Sequence, residues 1–244
     1  MESRLFQQLD NYLNNTPLKV LVEDRIEILC KTGNLEKGTQ RYNKYKTNYI
    51  ITMSRLSTHN SLSYLKPIHW YHNPLKPWHQ CQDLTLQEQY DYNVRLFDVR
   101  VKLINNTWHY VHNMVDYGTM EEHSEVNEFF ETHPDAKIRL CLDMRDKDKF
   151  TEEYKNKFLD LCRNLMYNHS WNIDRIIDFA TWNEYKTPTI NYTEYHVSVS
   201  GKWYNYIFGT KLFAKLKNEK YISNQTDTEM YYMIDYVQFT NLEL

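Results

Sequence analysis

Two histidines, an aspartate and an arginine stand in or beside short apolar runs between Ile50 and Val115. His59 lies in the polar stretch Ser57-Thr58-His59-Asn60-Ser61-Leu62, after the run Tyr49-Ile50-Ile51. Asp98 and Arg100 are two residues apart in Val94-Arg95-Leu96-Phe97-Asp98-Val99-Arg100-Val101, and His112 falls near the end of Trp108-His109-Tyr110-Val111-His112-Asn113. Alternate side chains of a strand share a face, so Asp98 and Arg100 point the same way, as do Trp108, Tyr110 and His112. If these strands are parallel neighbours, two imidazoles, a carboxylate and a guanidinium converge at one end of a sheet. Such a set can grip and cleave a phosphodiester: one His as base, one as acid, Arg against the phosphoryl charge. A plainer use of Asp98 and Arg100 is a salt bridge to each other, and both uses can hold at once.

Elements of alternating period must position these groups. Strand one is expected at about Asn48 to Met53, followed by a long loop from Ser54 to Asp83. A helix over Thr85 to Tyr92 leads into a strand over Arg95 to Val101, and Thr107 to His112 forms the next. Met120 to Thr132 has Val126, Phe129 and Phe130 at helical spacing, and Lys149 to Tyr167 repeats that pattern with Phe150, Tyr154, Phe158, Leu161, Cys162 and Leu165. Between them Lys137 to Asp143 reads as a strand ending in a carboxylate. The stretch Asn172 to Thr193 has no clear period. Tyr195 to Gly201 reads as a late strand and turn, Trp203 to Leu216 as a helix, and Met230 to Phe239 as the last strand. Alternating strands and helices, with polar groups at strand ends, favour a parallel α/β sheet closed as a (β/α)8 TIM-type barrel of irregular form. The 244 residues suit one such domain. Residues 1–46 read as an N-terminal extension packed on a catalytic barrel over 47–244.

In these motifs the chain resembles the catalytic X region of phosphatidylinositol-specific phospholipase C, more closely the small bacterial type. The family's Thr-His-Asp-Ser appears as Thr58-His59-Asn60-Ser61, and its Arg-(Tyr/Phe)-Phe-Asp-(Ile/Leu)-Arg run as Arg95-Leu96-Phe97-Asp98-Val99-Arg100. Its strand ending in His-Gly appears as His112-Asn113, and its closing Asp-Tyr-(Ile/Val) as Asp235-Tyr236-Val237. The match runs in order over about a quarter of the chain.

The resemblance implies that His59 is the general base, that His112 is the general acid for the departing diacylglycerol, and that Asp235 orients His59. Arg100 would bind a phosphate oxygen with Asp98 supporting it. For Tyr236, stacking on a sugar ring and ordinary core packing are equal expectations. Two departures stand out. Asn60 replaces an Asp that in bacterial members partners the second His, and Asp143 replaces a Lys. In calcium-dependent members the corresponding places hold metal ligands, so Asn60, Asp98 and Asp143 are candidate oxygen donors for Ca²⁺. Arg100, where those enzymes place a further acid, repels a divalent ion, so the expectation is catalysis without a metal or other cofactor. The expected partner is a phospholipid headgroup, met transiently at a membrane surface. A barrel that binds phosphoinositide or protein without cleaving is the alternative, and a glycerophosphodiester or sphingolipid substrate is a third reading.

Composition limits the remaining classes. A net charge of -3 leaves no electrostatic footprint for nucleic acid. Met1 to Pro17 lacks the apolar core of a signal peptide, and no run is long enough to span a bilayer. Together these point to a cytoplasmic or peripheral membrane protein, its oligomeric state open. The scattered Cys30, Cys81, Cys141 and Cys162 read as reduced thiols. His69, His72 and His79 with Cys81 fit no standard zinc spacing. Trp70, Tyr71 and Trp78 are expected at the rim of the pocket.

Overall fold

The structure, a computed structural model, describes residues 55–193, 205–223 and 230–240. The expected N-terminal extension, the Asn48–Met53 strand, Cys30 and the late strand over Tyr195–Gly201 lie outside them. Among the described residues eight strands form one sheet: β1 (Arg55–Thr58), β2 (Val94–Ile104), β3 (Thr107–His112), β4 (Val115–Thr119), β5 (Lys137–Leu142), β6 (Ile173–Asp178), β7 (Glu184–Lys186) and β8 (Tyr231–Ile234). The helices are α1 (Lys76–His79), α2 (Leu86–Asp91), α3 (Ser124–Thr132), α4 (Glu152–Asn168) and α5 (Asn205–Ser223).

The parallel ladder runs β8–β1–β2–β5–β6. β7 closes one edge antiparallel to β6, while a parallel bridge from Tyr192 to Tyr231 flanks β8. The ends do not meet among the described residues, so the fold is an irregular, unclosed TIM-type barrel with a mixed α/β order. No helix among the described residues is long and apolar enough to cross a membrane.

β2 is the axis of the site. Its eleven residues pair with β1 at one end, with β3 at the other, and with β5 along the middle. Phe97, Val99 and Val101 are buried on one face, where Phe97 meets Phe129 and Phe130 of α3 at ring separations of 5.5 and 5.7 Å. The opposite face carries Asp98 and Arg100, in register with Arg139 and Cys141 of β5. The buried polar groups therefore lie inside the barrel and the apolar groups beneath the helices, as period-2 alternation requires.

Helix boundaries follow local chemistry. Thr85 and Glu88 form a reciprocal capping box at the start of α2, and Thr151 caps α4. Val126, Phe129 and Phe130 of α3 and Phe158, Leu161, Cys162 and Leu165 of α4 are buried as the helical spacing selects, while Tyr154 is half-buried and Phe150, also half-buried, precedes α4.

Several expectations are corrected. Ser57 and Thr58 belong to β1 and not to a loop after an earlier strand. The expected long loop contains a 3-10 turn over Trp70–Leu75 and then α1. β3 is antiparallel to β2, not a parallel neighbour. Only Asn105 and Asn106 separate the two strands, both at positive φ (49° and 66°), a hairpin turn too short for a parallel crossover. The unreadable stretch after Asn172 holds β6 and β7. The last strand ends at Ile234, and Val237–Thr240 turns as a 3-10 helix.

Candidate active site

His59 leaves β1 with its backbone N–H bonded to the Ile234 carbonyl of β8, at 3.1 Å. Asn60, at φ 40°, turns the chain so that its N–H donates to Asp98 Oδ2 at 3.0 Å. The hairpin that returns from β2 brings His112 back beside Arg100. The two imidazoles face each other edge to face, their centres 5.5 Å apart. His59, Arg100 and His112 line one cavity of about 300 Å³ with Asn113, Arg139, Arg145, Phe179 and Trp182.

Each ring has a defined tautomer. Arg100 donates from its terminal nitrogen to His59 Nε2 at 2.6 Å, so Nε2 carries no proton and Nδ1–H faces Asp235 Oδ1 at 2.9 Å. His112 Nδ1 donates to the backbone carbonyl of His79 at 2.6 Å. Burial, then the neighbouring guanidinium of Arg100, pushes His59 well below the ordinary histidine value and His112 down to about 3. Both rings are neutral near pH 7 while the cavity holds no anion.

Asp98 holds the cations in place. One oxygen accepts from Arg100 Nε at 3.0 Å and the other from Arg139 at 3.0 Å. Burial alone raises a carboxyl, but Arg100, Arg139 and His59 outweigh it and hold Asp98 well below the usual range. Cys141 Sγ adds a contact at 3.3 Å. Asp235 is buried, which raises its carboxyl above the ordinary range. Its backbone carbonyl accepts from Asn218 Nδ2 at 2.6 Å, while Gln82 Nε2 donates to the Ile234 carbonyl and Gln82 Oε1 accepts from Val237 N–H. Two amide side chains therefore fix the turn that carries Asp235.

His59, Arg100, Asp98 and Asp235 form one hydrogen-bonded group, and His112 lies beside it in ring contact with His59. Asn60 reaches it through its backbone N–H. Asp143 is buried beside it, accepting from Asn113 N–H at 2.8 Å and lying 3.8 Å from Arg100. It lines a neighbouring hollow of about 650 Å³ that also contains Lys102, Met114, Arg145 and Lys149. Tyr236 does not line the cavity: it is buried, at φ 48°, and its hydroxyl donates to the Gln80 carbonyl at 2.8 Å.

Sequence reasoning missed Arg139, Arg145, Phe179 and Trp182. Arg139 was legible in principle, because it sits two residues before Cys141 in a strand that ends at the site. Phe179 and Trp182 follow β6, a strand the pattern did not reveal. The guanidinium carbons of Arg100, Arg139 and Arg145 lie 5.1, 5.9 and 5.8 Å from the Phe179 ring centre, so one aromatic ring serves three cations.

No protein-family model matches the chain, and no curated protein does. Solved structures do. The phosphatidylinositol-specific phospholipase C from Listeria monocytogenes is similar at 14% identity, covering 79% of this chain and 92% of that one, with a TM-score of 0.52. A substituted form of the phosphatidylinositol-specific phospholipase C from Staphylococcus aureus is similar at 14% identity over 78% and 90%, with a TM-score of 0.50. The chain thus has the barrel fold of the bacterial phosphatidylinositol-specific phospholipases C. At this identity the likeness is one of fold.

Proposed function

We propose that this protein is a phosphodiesterase of the phospholipase C type that cleaves phosphatidylinositol-like lipids. The observation that carries the reading is the facing pair of neutral imidazoles with Arg100 bonded to the basic nitrogen of one of them. When a phosphodiester enters the cavity, Arg100 turns from His59 Nε2 to a non-bridging oxygen, and Nε2 takes the proton of the inositol hydroxyl beside the phosphate. That oxygen attacks phosphorus, the bond to the diacylglycerol oxygen breaks, and His112 delivers a proton to the leaving oxygen. The products are diacylglycerol and a cyclic inositol phosphate, which water opens slowly with the two roles reversed. His112 becomes an acid only with substrate bound, when the phosphodiester's negative charge counters the guanidinium that lowers it. Its Nε2, left free while Nδ1 donates to the His79 carbonyl, then takes up from solvent the proton that it passes to the leaving oxygen.

Calcium does not fit this donor set. Both oxygens of Asp98 are engaged by guanidinium groups, and Arg100 fills the space between Asp98 and Asp143. The reaction is therefore assigned to side chains and not to a metal. Exposed Ile68, Trp70, Tyr71 and Trp78 precede or belong to the segment whose His79 carbonyl holds His112. Amphipathic rings there suit a transient seat on a lipid surface.

A second reading has one observation in its favour. His112 is held by a neutral carbonyl, where the resembling bacterial motif supplies a carboxylate, and its proton affinity is low. That favours a barrel that binds the headgroup and cleaves it slowly or not at all. Purified protein incubated with labelled phosphatidylinositol vesicles, with and without a chelator, tests both. Chelator-insensitive release of cyclic inositol phosphate, abolished in His59→Ala and His112→Ala, is the expected result. Vesicle binding without release selects the second reading.

A further inference from the structure

Cys81 stands under the imidazole pair with no part in the proposed reaction. Its sulfur is buried and lies 4.0 Å from His112 Nδ1, and it is one of three free thiols among the described residues. His59, Cys81 and His112 each offer a ligand atom, and those three atoms lie within 4.8 Å of one another. Two imidazoles and a thiol are the donors that d¹⁰ and late divalent cations select, and they are poor ligands for Ca²⁺ or Mg²⁺. Asp235 Oδ1, 2.9 Å from His59 Nδ1, completes the set as a fourth ligand or as the outer carboxylate that orients a metal-bound histidine.

We propose that His59, His112 and Cys81 form a binding site for a thiophilic divalent cation of the Zn²⁺ type, and that its occupation switches the imidazole pair off. The cavity beside His59 and His112 is the entry path. Binding expels the Cys81 thiol proton to solvent and leaves a thiolate on the metal. Arg100 has to give way whichever nitrogen of His59 takes the ion. A metal on Nε2 displaces the guanidinium directly, and a metal on Nδ1 leaves Nε2 protonated and unable to accept from it. Arg100 remains tied to Asp98 through Nε, so only its terminal nitrogen moves. The ion and the proton shuttle therefore exclude each other.

Co²⁺ titration of the intact protein reads the site without any substrate. One equivalent is expected to give tetrahedral visible bands and a near-ultraviolet thiolate-to-cobalt charge-transfer band, which Zn²⁺ then bleaches. Cys81→Ser and His112→Ala should remove the charge-transfer band and the tetrahedral bands respectively, and weaken Zn²⁺ binding by roughly tenfold or more. Should either variant not fold, alkylation of wild-type Cys81 followed by peptide mapping replaces it, with Zn²⁺ expected to protect the thiol. Absence of the thiolate band, or Cys81 alkylated at the same rate with Zn²⁺ present, overturns the proposal. These readouts hold whether or not the protein cleaves phosphatidylinositol. If it does, each enzyme's metal-free rate is the reference, and micromolar Zn²⁺ should inhibit the wild type more strongly than Cys81→Ser.

Discussion

The guanidinium of Arg100 donates to His59 Nε2 at 2.6 Å, the same nitrogen a base must keep free to take a proton. On the proposed reading the base is held by the phosphate-binding group until an arriving phosphodiester frees it by drawing Arg100 away. Arg100→Lys keeps the charge but loses the fork that spans Asp98 and His59. Its turnover should fall by about 10²- to 10³-fold, the usual cost of removing one preorganised donor. Initial rates beside a thermal melt check this; a near-wild-type rate with an intact fold sinks the assignment.

Acid sensitivity follows from His112. Its folded value of about 3 lies below the unfolded 6.5, so between these the unfolded chain binds a proton that the native protein refuses. Stability is complete above about pH 6.5 and is lost as pH falls toward 3. His112→Gln removes this dependence, so the wild type should lose about 1.6 kcal/mol more than the variant between pH 6.5 and 5. Urea unfolding at several pH values measures the difference, and parallel curves for the two proteins contradict it.

Asp143 is expected to act through the turn after His112. Its Oδ2 accepts from Asn113 N–H at 2.8 Å, where Asn113 sits at φ 55°. Asp143→Ala should cost about 1–3 kcal/mol of stability and lower kcat, because a buried donor loses its acceptor. Asp143→Asn retains an oxygen for that N–H and should recover most of the kcat. Failure of the amide to rescue would point to the charge itself, beside Arg100 and Arg145.

Trp182 is exposed at the cavity rim, with its ring 5.0 Å from Phe179. Trp182→Ala should leave the fold intact and raise KM by roughly three- to tenfold, matching the ~0.5–1.5 kcal/mol of an aromatic contact. A soluble cyclic inositol phosphate as substrate separates this from lipid binding. Unchanged KM removes the ring from the binding surface.

Trp70 and Trp78 should act only where a lipid surface is present. An aromatic that leaves water contributes ~1.5–3 kcal/mol when fully buried, so replacing both with Ala should weaken sedimentation with phosphatidylinositol vesicles at least tenfold. The rate on soluble substrate should stay the same. Equal vesicle binding by variant and wild type would place the docking surface elsewhere.

By itself the sequence determined the elements whose signals are local. The helix ahead of β2, the buried stripes of α3 and α4, and the alternation that sets Asp98 and Arg100 on one face of β2 all depend on neighbours a few residues away. The motifs around His59, Asp98, Arg100, His112 and Asp235 were visible for the same reason. Tertiary structure alone decided how they meet. The antiparallel return at Asn105 and Asn106 swings His112 back to Arg100, and β8 delivers Asp235 to His59 across 176 residues of chain. It also supplied the His79 carbonyl for His112, Arg139 for Asp98 and Cys81 beneath the pair. Such contacts join residues far apart in sequence, and no spacing rule encodes them, because the pairing of distant strands in one sheet is what brings them within hydrogen-bond reach.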